Sequence, residues 1–551
     1  MMVSRAVKRL EASSRRARLH VFRRAMLPGL GRLGNATAAV VLAATVRQQM
    51  FRQDKCCECA AVPVPVLVSP PTKADDGRGP LEALLLAALR WLRGGARSLM
   101  EAVRILQRTG YLTCIFAPSV LTSPVLLLFE EQSPTIKWWW SLLRDCIRWS
   151  GPCNIKFSQW IATRPDLFPL VMCQQLQDLQ TNAIRHSWKA TRGTLTDMFG
   201  PDWDSIFSLE LDPASGEPIV VGSGCVAQVL RGRMRGGGGA EVAIKVIHPT
   251  VAKSIEDDIR IMRFVTHWLE KLPRLCHMGL TESVEEFSLF MNSQLDLRRE
   301  ASALARFRQN FNIKAGNGSG GAKAKGGVAV TFPEPLYPHV TRLALVESFA
   351  EGELILDLLG RIDAKTRHEL ATSGLDAILK MVFQDNFIHA DMHMGNLICQ
   401  SLDGGGLRLT MIDAGLTAEL GSQDRVNFID LFKAVVLNDG RRVGRLIIER
   451  SRNLGACIDP EGFEKELDEV VRTVHASGLS LGRIGVGALL QRVLVACYRH
   501  NVRLESKFVS VVLAIGVVEG LGRRLDPDVD ILRKAAPYVL QAWRDEGKKR
   551  A

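Results

Sequence analysis

The sequence predicts an α+β fold of two lobes, a small strand-rich lobe followed by a larger helical one. Three observations carry this. Residues 216–249, "GEPIVVGSGCVAQVLRGRMRGGGGAEVAIKVIHP", read as two or three strands with a glycine turn at Gly236–Gly239. After Gly352 the pattern is mainly helical, interrupted by the short strand "LRLTMID" (407–413). The 551 residues are 47% hydrophobic, enough for more than one unit and a sizeable core.

The elements follow in chain order. The net charge is +13, but residues 1–53 hold eleven Arg or Lys and one acid, Glu11, a local +10 that leaves about +3 for the rest. Basicity is thus a property of the start, which argues against nucleic acid as a partner of the whole chain. "SRAVKRLEASSRRARLHVFRRAMLPGLGRLG" is Arg-rich, Ser-containing and almost free of acids, the composition of a mitochondrial transit peptide. Residues 1–53 are therefore assigned as a mitochondrial targeting segment. The cluster "CCEC" (56–59) has no second pair at zinc spacing, so the twelve cysteines are read as reduced thiols.

Residues 54–109 form a linker and a helical segment: "VPVPVLVSPPTKADDGRGP" has five prolines in nineteen residues, and a helical pattern follows. Residues 110–129, "GYLTCIFAPSVLTSPVLLLF", carry no charge in twenty residues and are a candidate transmembrane helix, although Pro118 and Pro124 interrupt them. "KWWW" (137–140) suits a membrane interface. Residues 145–215 are expected as a helical extension, 216–350 as the strand-rich lobe with further helices, and 351–551 as the helical lobe. Residues 314–327, "KAGNGSGGAKAKGG", read as a flexible insertion.

The chemistry lies in an ordered set of motifs. Gly222-Ser223-Gly224-Cys225-Val226-Ala227-Gln-Val fits G-x-G-x-x-A-x-V, in which small residues let backbone N–H groups approach phosphates. Sixteen residues later the strand "VAIK" ends in Lys245, placed to bridge phosphate oxygens. His389-Ala-Asp391-Met-His-Met-Gly-Asn396 fits H-x-D-x-x-x-x-N. That spacing lets Asp391 orient the nucleophile while Asn396 reaches a metal, with His389 bracing the loop. "LTMIDAGL" then sets Asp413 at a strand end, where a carboxylate ligates Mg²⁺. His393 stands where many protein kinases have lysine, which favours a small-molecule acceptor or water over a protein. Glu347 ends a strand where the chain crosses between lobes, which places its backbone against the base.

With these motifs the sequence resembles the UbiB-like, aarF-domain atypical kinases, from about Ile155 to Val436, and most closely the mitochondrial members. The resemblance implies a protein-kinase-like fold and bound Mg–ATP. It implies ATPase or unorthodox kinase activity tied to coenzyme Q metabolism at the mitochondrial inner membrane, with lipid or coenzyme Q biosynthetic proteins as partners. The family's K-x-G-Q element falls on Lys156-Phe-Ser158-Gln159, which puts Lys156 and Gln159 at the nucleotide site. Its lysine-pairing glutamate falls on Glu300 in "QLDLRREASALARF", whereas spacing alone points to Glu256. Three departures stand out. Ser158 replaces glycine, Gln294 replaces the E-x-D glutamate and leaves Asp296, and Gly222 and Gly224 replace alanines. They leave open a pseudokinase alternative, a nucleotide-dependent lipid-binding or scaffolding protein.

Overall fold

A computed structural model describes residues 80–129, 133–162, 170–176, 186–236, 239–271, 280–313, 322–323, 327–402, 406–451, 455, 457–477, 486–502, 525–526 and 529–550. The expected targeting segment 1–53, the proline-rich part of the expected linker and most of the expected glycine-rich insertion lie outside these residues. The chain divides into two units, 1–143 and 144–551.

In the first unit, α1 (Pro80–Thr122) ends in a turn at Ser123–Pro124, α2 (Val125–Leu128) is one turn long, and α3 begins at Pro134. This corrects the expected span at 110–129. Those residues are not one helix, and among the described residues no helix is long and apolar enough to cross a membrane. The helical part without charge, 110–122, rises about 20 Å, against the roughly 30 Å of a bilayer core. An uncharged run measures composition. The prolines decide how much of it is one helix. Trp139 Nε1 of α3 (Pro134–Ser150) donates to Ser119 O (3.0 Å), which pins α3 to the end of α1. Leu99, Met100, Leu106, Leu121, Leu128 and Trp138 are exposed.

The second unit opens with α4 (Pro152–Ala162), α5 (Leu170–Leu176) and α6 (Trp188–Phe199). The strand-rich lobe is a six-stranded sheet in the order β1 (Phe207–Leu209), β3 (Ala227–Met234), β4 (Glu241–Ile247), β8 (Ala344–Ser348), β7 (Pro335–Val340), with β2 (Val220–Ser223) also on β3. Alternation along β4 sets its two faces. Val242, Ile244 and Val246 are fully buried in the lobe core with Phe207, Leu230 and Val346, so Ala243 and Lys245 face the other way. Gly232 is required in β3, because a Cβ there would lie 2.5 Å from Ser208 O of β1. The helices α7 (Val251–Leu269), α8 (Leu280–Gln294) and α9 (Leu297–Asn310) follow β4. Asp296 caps α9 by accepting from Arg298 N–H (3.1 Å).

The rest is less purely helical than expected. A second, five-stranded sheet runs β5 (Ala322–Lys323), β6 (Val328–Thr331), β12 (Leu407–Met411), β11 (Leu397–Ser401), β9 (Glu353–Leu354). It recruits two residues of the expected flexible insertion, and β6 pairs with β12 in parallel across nearly eighty intervening residues. Such a pairing leaves no local signature. α10 (Ile355–Leu358) and α11 (Ala364–Leu379) lead to the pair β10 (Ile388–His389) and β13 (Thr417–Ala418). α12 (Ser422–Val436), α13 (Gly440–Glu449), α14 (Pro460–Ser477), α15 (Val486–Arg499) and α16 (Ile531–Arg550) complete the described elements. Phe307, Phe332, Phe383, Phe387, Phe428 and Met411 form the core beneath the site.

Candidate nucleotide site

The centre of the site is Lys245. Its Nζ lies 2.8 Å from Glu300 Oε1 and 3.1 Å from Asp413 Oδ1. Glu300 comes from the first turn of α9, 55 residues away, and is buried. Glu256, the choice by spacing, pairs instead with Arg260 in an exposed i,i+4 contact. α9 is held against the helical lobe by Arg306, whose guanidinium makes two bonds to Glu419 (2.7 and 2.8 Å) and lies over the Phe387 ring.

Glu347 is buried on the same sheet face as Lys245. It pairs with Ala243, two residues from Lys245 along β4, so its side chain shares that face. Its Oε2 has no hydrogen-bond partner among the described residues. The sequence placed this residue by its backbone; its carboxyl group, turned into the site, is the feature that reading missed. Three carboxyl groups thus gather around one ammonium. Burial, then the Glu300 carboxylate, push Glu347 up to about 8, against the pull of Lys245. Burial likewise pushes Glu300 up to about 7, opposed by Lys245. For Asp413 burial works the same way but loses: Lys245, with Lys156 and His389 further off, holds it well below the usual carboxylate range. Burial opposes the charge on Lys245 too, yet Asp413 and Glu300 hold it above the usual lysine range. Burial thus acts against the charge of Glu300 and Glu347 alike, and Glu347 has in addition an unbonded oxygen.

Asp413 has a left-handed backbone (φ 58°), a conformation Asp tolerates better than most residues. It is about half exposed (47%) while its partner Lys245 is buried. The two polar segments of the helical lobe are stitched together. Ile412 N–H donates to Asn396 O (2.9 Å), and Ala390 N–H to Leu416 O (3.0 Å). His389 Nδ1 accepts from Asp391 N–H (3.3 Å), so Nε2 carries the hydrogen toward Ile412 O (3.4 Å). The ring stacks on Phe307, and burial pushes its pKa down although Asp391 pulls the other way. Asn396 Nδ2 donates to Asp391 O (3.0 Å), which leaves the amide oxygen as its acceptor for a cation.

The loop Gly222–Ala227 joins β2 to β3. A Cβ at Gly222 would meet nothing within 4 Å, and one at Gly224 only Ala227 O at 3.7 Å. The Ser223 hydroxyl is buried without a partner among the described residues. Cys225, Val226 and Ala227 are buried. Lys156 and Gln159 lie three apart on α4, so they share a helix face, and Lys156 is near enough to Asp413 to lower its pKa. Ser158 is buried, its hydroxyl donating to Asn154 O (2.9 Å). Gln294 ends α8 with its Oε1 buried and unbonded among the described residues. Among the described residues there is no group of three His, Cys, Asp or Glu at metal-binding distance.

Residues 178–447 match the ABC1 atypical kinase-like domain, and residues 469–530 the UbiB helical domain. A mitochondrial ABC1 family protein of Saccharomyces cerevisiae is 31% identical over 530 residues, covering 82% of this chain and 77% of that protein. A mitochondrial ABC1 family protein of Schizosaccharomyces pombe is 29% identical over 510 residues, covering 80% and 71%. A solved chain, Rv3197 of Mycobacterium tuberculosis in complex with erythromycin, aligns with a TM-score of 0.48 at 17% identity over 69% of this chain and 86% of that one. On the domain matches and the first relative, this chain belongs to the ABC1 atypical kinase-like family.

Proposed function

We propose that this protein is an ATP-dependent phosphotransferase or ATPase that binds Mg–ATP between its two lobes. The observation that carries the reading is Lys245, paired with Glu300 at 2.8 Å and standing 3.1 Å from Asp413. The donor set fits the group. Asp413 offers an ionised, half-exposed carboxylate and Asn396 a free amide oxygen, and Mg²⁺ takes few protein ligands when phosphates supply the others. The loop Gly222–Ala227 has room for phosphate and an unbonded hydroxyl at Ser223.

In this reading Lys245 binds phosphate oxygens and Glu300 holds it in place. Asp391 orients the attacking hydroxyl or water. Lys156 and Gln159 reach the site from the extension, and Glu347 lines its inner wall. Mg²⁺, when bound, neutralises charge on the transferring phosphate. Alignment and charge stabilisation supply most of the rate, because phosphoryl transfer needs little covalent help.

The place of action in this reading is a mitochondrial membrane, in coenzyme Q and lipid metabolism. The basic start (1–53) and the mitochondrial relatives support the compartment. The exposed apolar side chains between Leu99 and Trp138 support binding in the plane of a bilayer surface.

The test is thermal unfolding of the protein with Mg–ATP, alongside Asp413→Asn. A ligand that binds only the folded state stabilises by about 2.7 kcal/mol at a hundredfold excess over Kd. A shift in the wild type that Asp413→Asn loses is the expected result. No shift at millimolar nucleotide, with the protein folded, would sink the reading. Binding without phosphate release, unchanged in Asp391→Asn, would leave the pseudokinase alternative.

A further inference from the structure

Two histidines outside the phosphate site form a hydrogen-bonded chain that ends on the glycine loop. His248 directly follows β4, three residues after Lys245. Its backbone N–H donates to Val226 O (2.8 Å), and its Nε2 lies 2.8 Å from Gly224 O. Its Nδ1 meets Nδ1 of His186, with the two rings edge to face. His186 stands just before α6 in the helical extension, and its Nε2 lies 2.8 Å from Thr191 Oγ1 on that helix. Thr191 accepts from Gln228 Nε2 (2.9 Å), and Gln228 follows Ala227 in β3. The circuit leaves the loop at Gly224, crosses the extension and returns at the loop's other end.

Counting hydrogens fixes its direction. The Gly224 carbonyl only accepts, so His248 Nε2 carries a hydrogen. With both rings neutral, one Nδ1 must donate across the His186–His248 contact, and because His248 carries its hydrogen on Nε2 that donor is His186 Nδ1. His186 Nε2 is then an acceptor, and the Thr191 hydroxyl donates to it while accepting from Gln228 Nε2. Every contact is filled with both rings neutral. Burial, and then the neighbouring His248, push the His186 pKa down to about 4, in keeping with a neutral ring at pH 7. Turning the Gln228 amide over would reverse the chain and require an imidazolium at His248.

The loop has a need that this chain meets. Gly222 is paired with Val229 in the sheet and Gly224 N–H donates to Ala227 O (2.8 Å), so the peptide that His248 orients is the next one, Gly224–Cys225, through its carbonyl. In a planar trans peptide the carbonyl and the following N–H point in opposite directions. Holding Gly224 O on His248 therefore fixes the direction of the Cys225 N–H. A turned peptide would instead present a carbonyl oxygen to phosphate.

We propose that His186 and His248 are positioning residues that lock the Gly224–Cys225 peptide of the glycine loop to the helical extension, so that the loop meets phosphate with its N–H groups. This rests on the nucleotide reading above and adds to it a dependence of phosphate binding on residues 186–191.

The experiment compares Mg–ATP with adenosine by titration calorimetry on the full chain, for wild type, His186→Ala, His248→Ala, His248→Gln and the double alanine variant. Each alanine variant should bind ATP about five- to tenfold more weakly, the scale of one lost neutral hydrogen bond, with adenosine unchanged. The double variant should lose less than the product of the two, because both residues act through one chain. A glutamine side-chain amide can donate to Gly224 O as the imidazole does, so His248→Gln should recover most of the loss. Equal losses for ATP and adenosine, or none for ATP, overturn the proposal. Histidine ¹⁵N spectra of the nucleotide-free full chain test the geometry without any variant. They should show His186 protonated at Nδ1 and His248 at Nε2 at pH 7, and an imidazolium at His248 overturns the proposal. Wild type that binds neither ligand overturns the nucleotide reading, and the positioning role with it. Wild type that binds both, with variants unaffected, overturns the positioning role alone.

Discussion

Lys245 and its three carboxyl neighbours set the chemistry at the scale of single residues. The Lys245–Glu300 pair is buried on both sides, so breaking it by removing one member is costly. Lys245→Met should lower stability by about 3–5 kcal/mol, the range for an orphaned buried charge. Lys245→Met with Glu300→Met should cost less than Lys245→Met alone, as urea denaturation of the three variants would show. Glu347 gives a pH prediction. Its pKa rises from 4.5 in the unfolded chain to about 8 in the folded protein. Between those values the folded state holds the extra proton, so this group makes stability fall as pH rises. Glu347→Gln removes that dependence. The stability of the variant relative to wild type should therefore climb from pH 5 to pH 8 and then level off. Parallel curves across that window would show an ordinary, ionised Glu347.

Close packing of neighbouring elements depends on a few small residues. Gly440 and Gly444 of α13 let α14 approach. A Cβ at Gly440 would lie 2.3 Å from Asp468 Cα, and one at Gly444 2.8 Å from Glu464 Cα. These contacts are with backbone, which cannot swing aside. Gly440→Ala should destabilise the helical lobe by about 1–3 kcal/mol, the usual range for overpacking, read as a lower thermal midpoint. α9 has a second role besides carrying Glu300, because its Phe307 is fully buried, stacked on Phe332 and His389. Phe307→Ala should cost about 3–5 kcal/mol. It should also weaken Mg–ATP binding, because His389 braces Asp391. Unchanged binding in the folded variant would show that the Asp391 loop holds without the stack.

For the whole molecule, the proposed place at a mitochondrial membrane rests on the N-terminal charge and the apolar surface of the first unit. Residues 1–53 fused to a fluorescent protein should carry it into mitochondria, and the full chain without them should stay outside. Either result is read by microscopy with a matrix marker. The full protein should also float with anionic vesicles. Leu106→Glu with Leu121→Glu, both at exposed apolar positions, should reduce flotation severalfold without changing the unfolding midpoint. Equal flotation would move the membrane contact elsewhere in the chain.

The sequence by itself determined the order of the motifs, the two-lobed plan and the polarity of the N-terminus. These are local properties: the spacing of glycines, a strand ending in Lys245, the H-x-D-x-x-x-x-N loop and the strand before Asp413 each show in fewer than fifteen residues. The tertiary structure decided what depends on residues far apart in the chain. It bore out Glu300, the choice by resemblance, over Glu256, the choice by spacing, turned the Glu347 carboxyl inward and joined His186 to His248 across 62 residues. It also paired β6 with β12, and it broke the uncharged run 110–129 at a turn. Propensity and periodicity act over one or two turns of chain. Burial, and the proton distribution that burial imposes, arise only when distant segments share one interior.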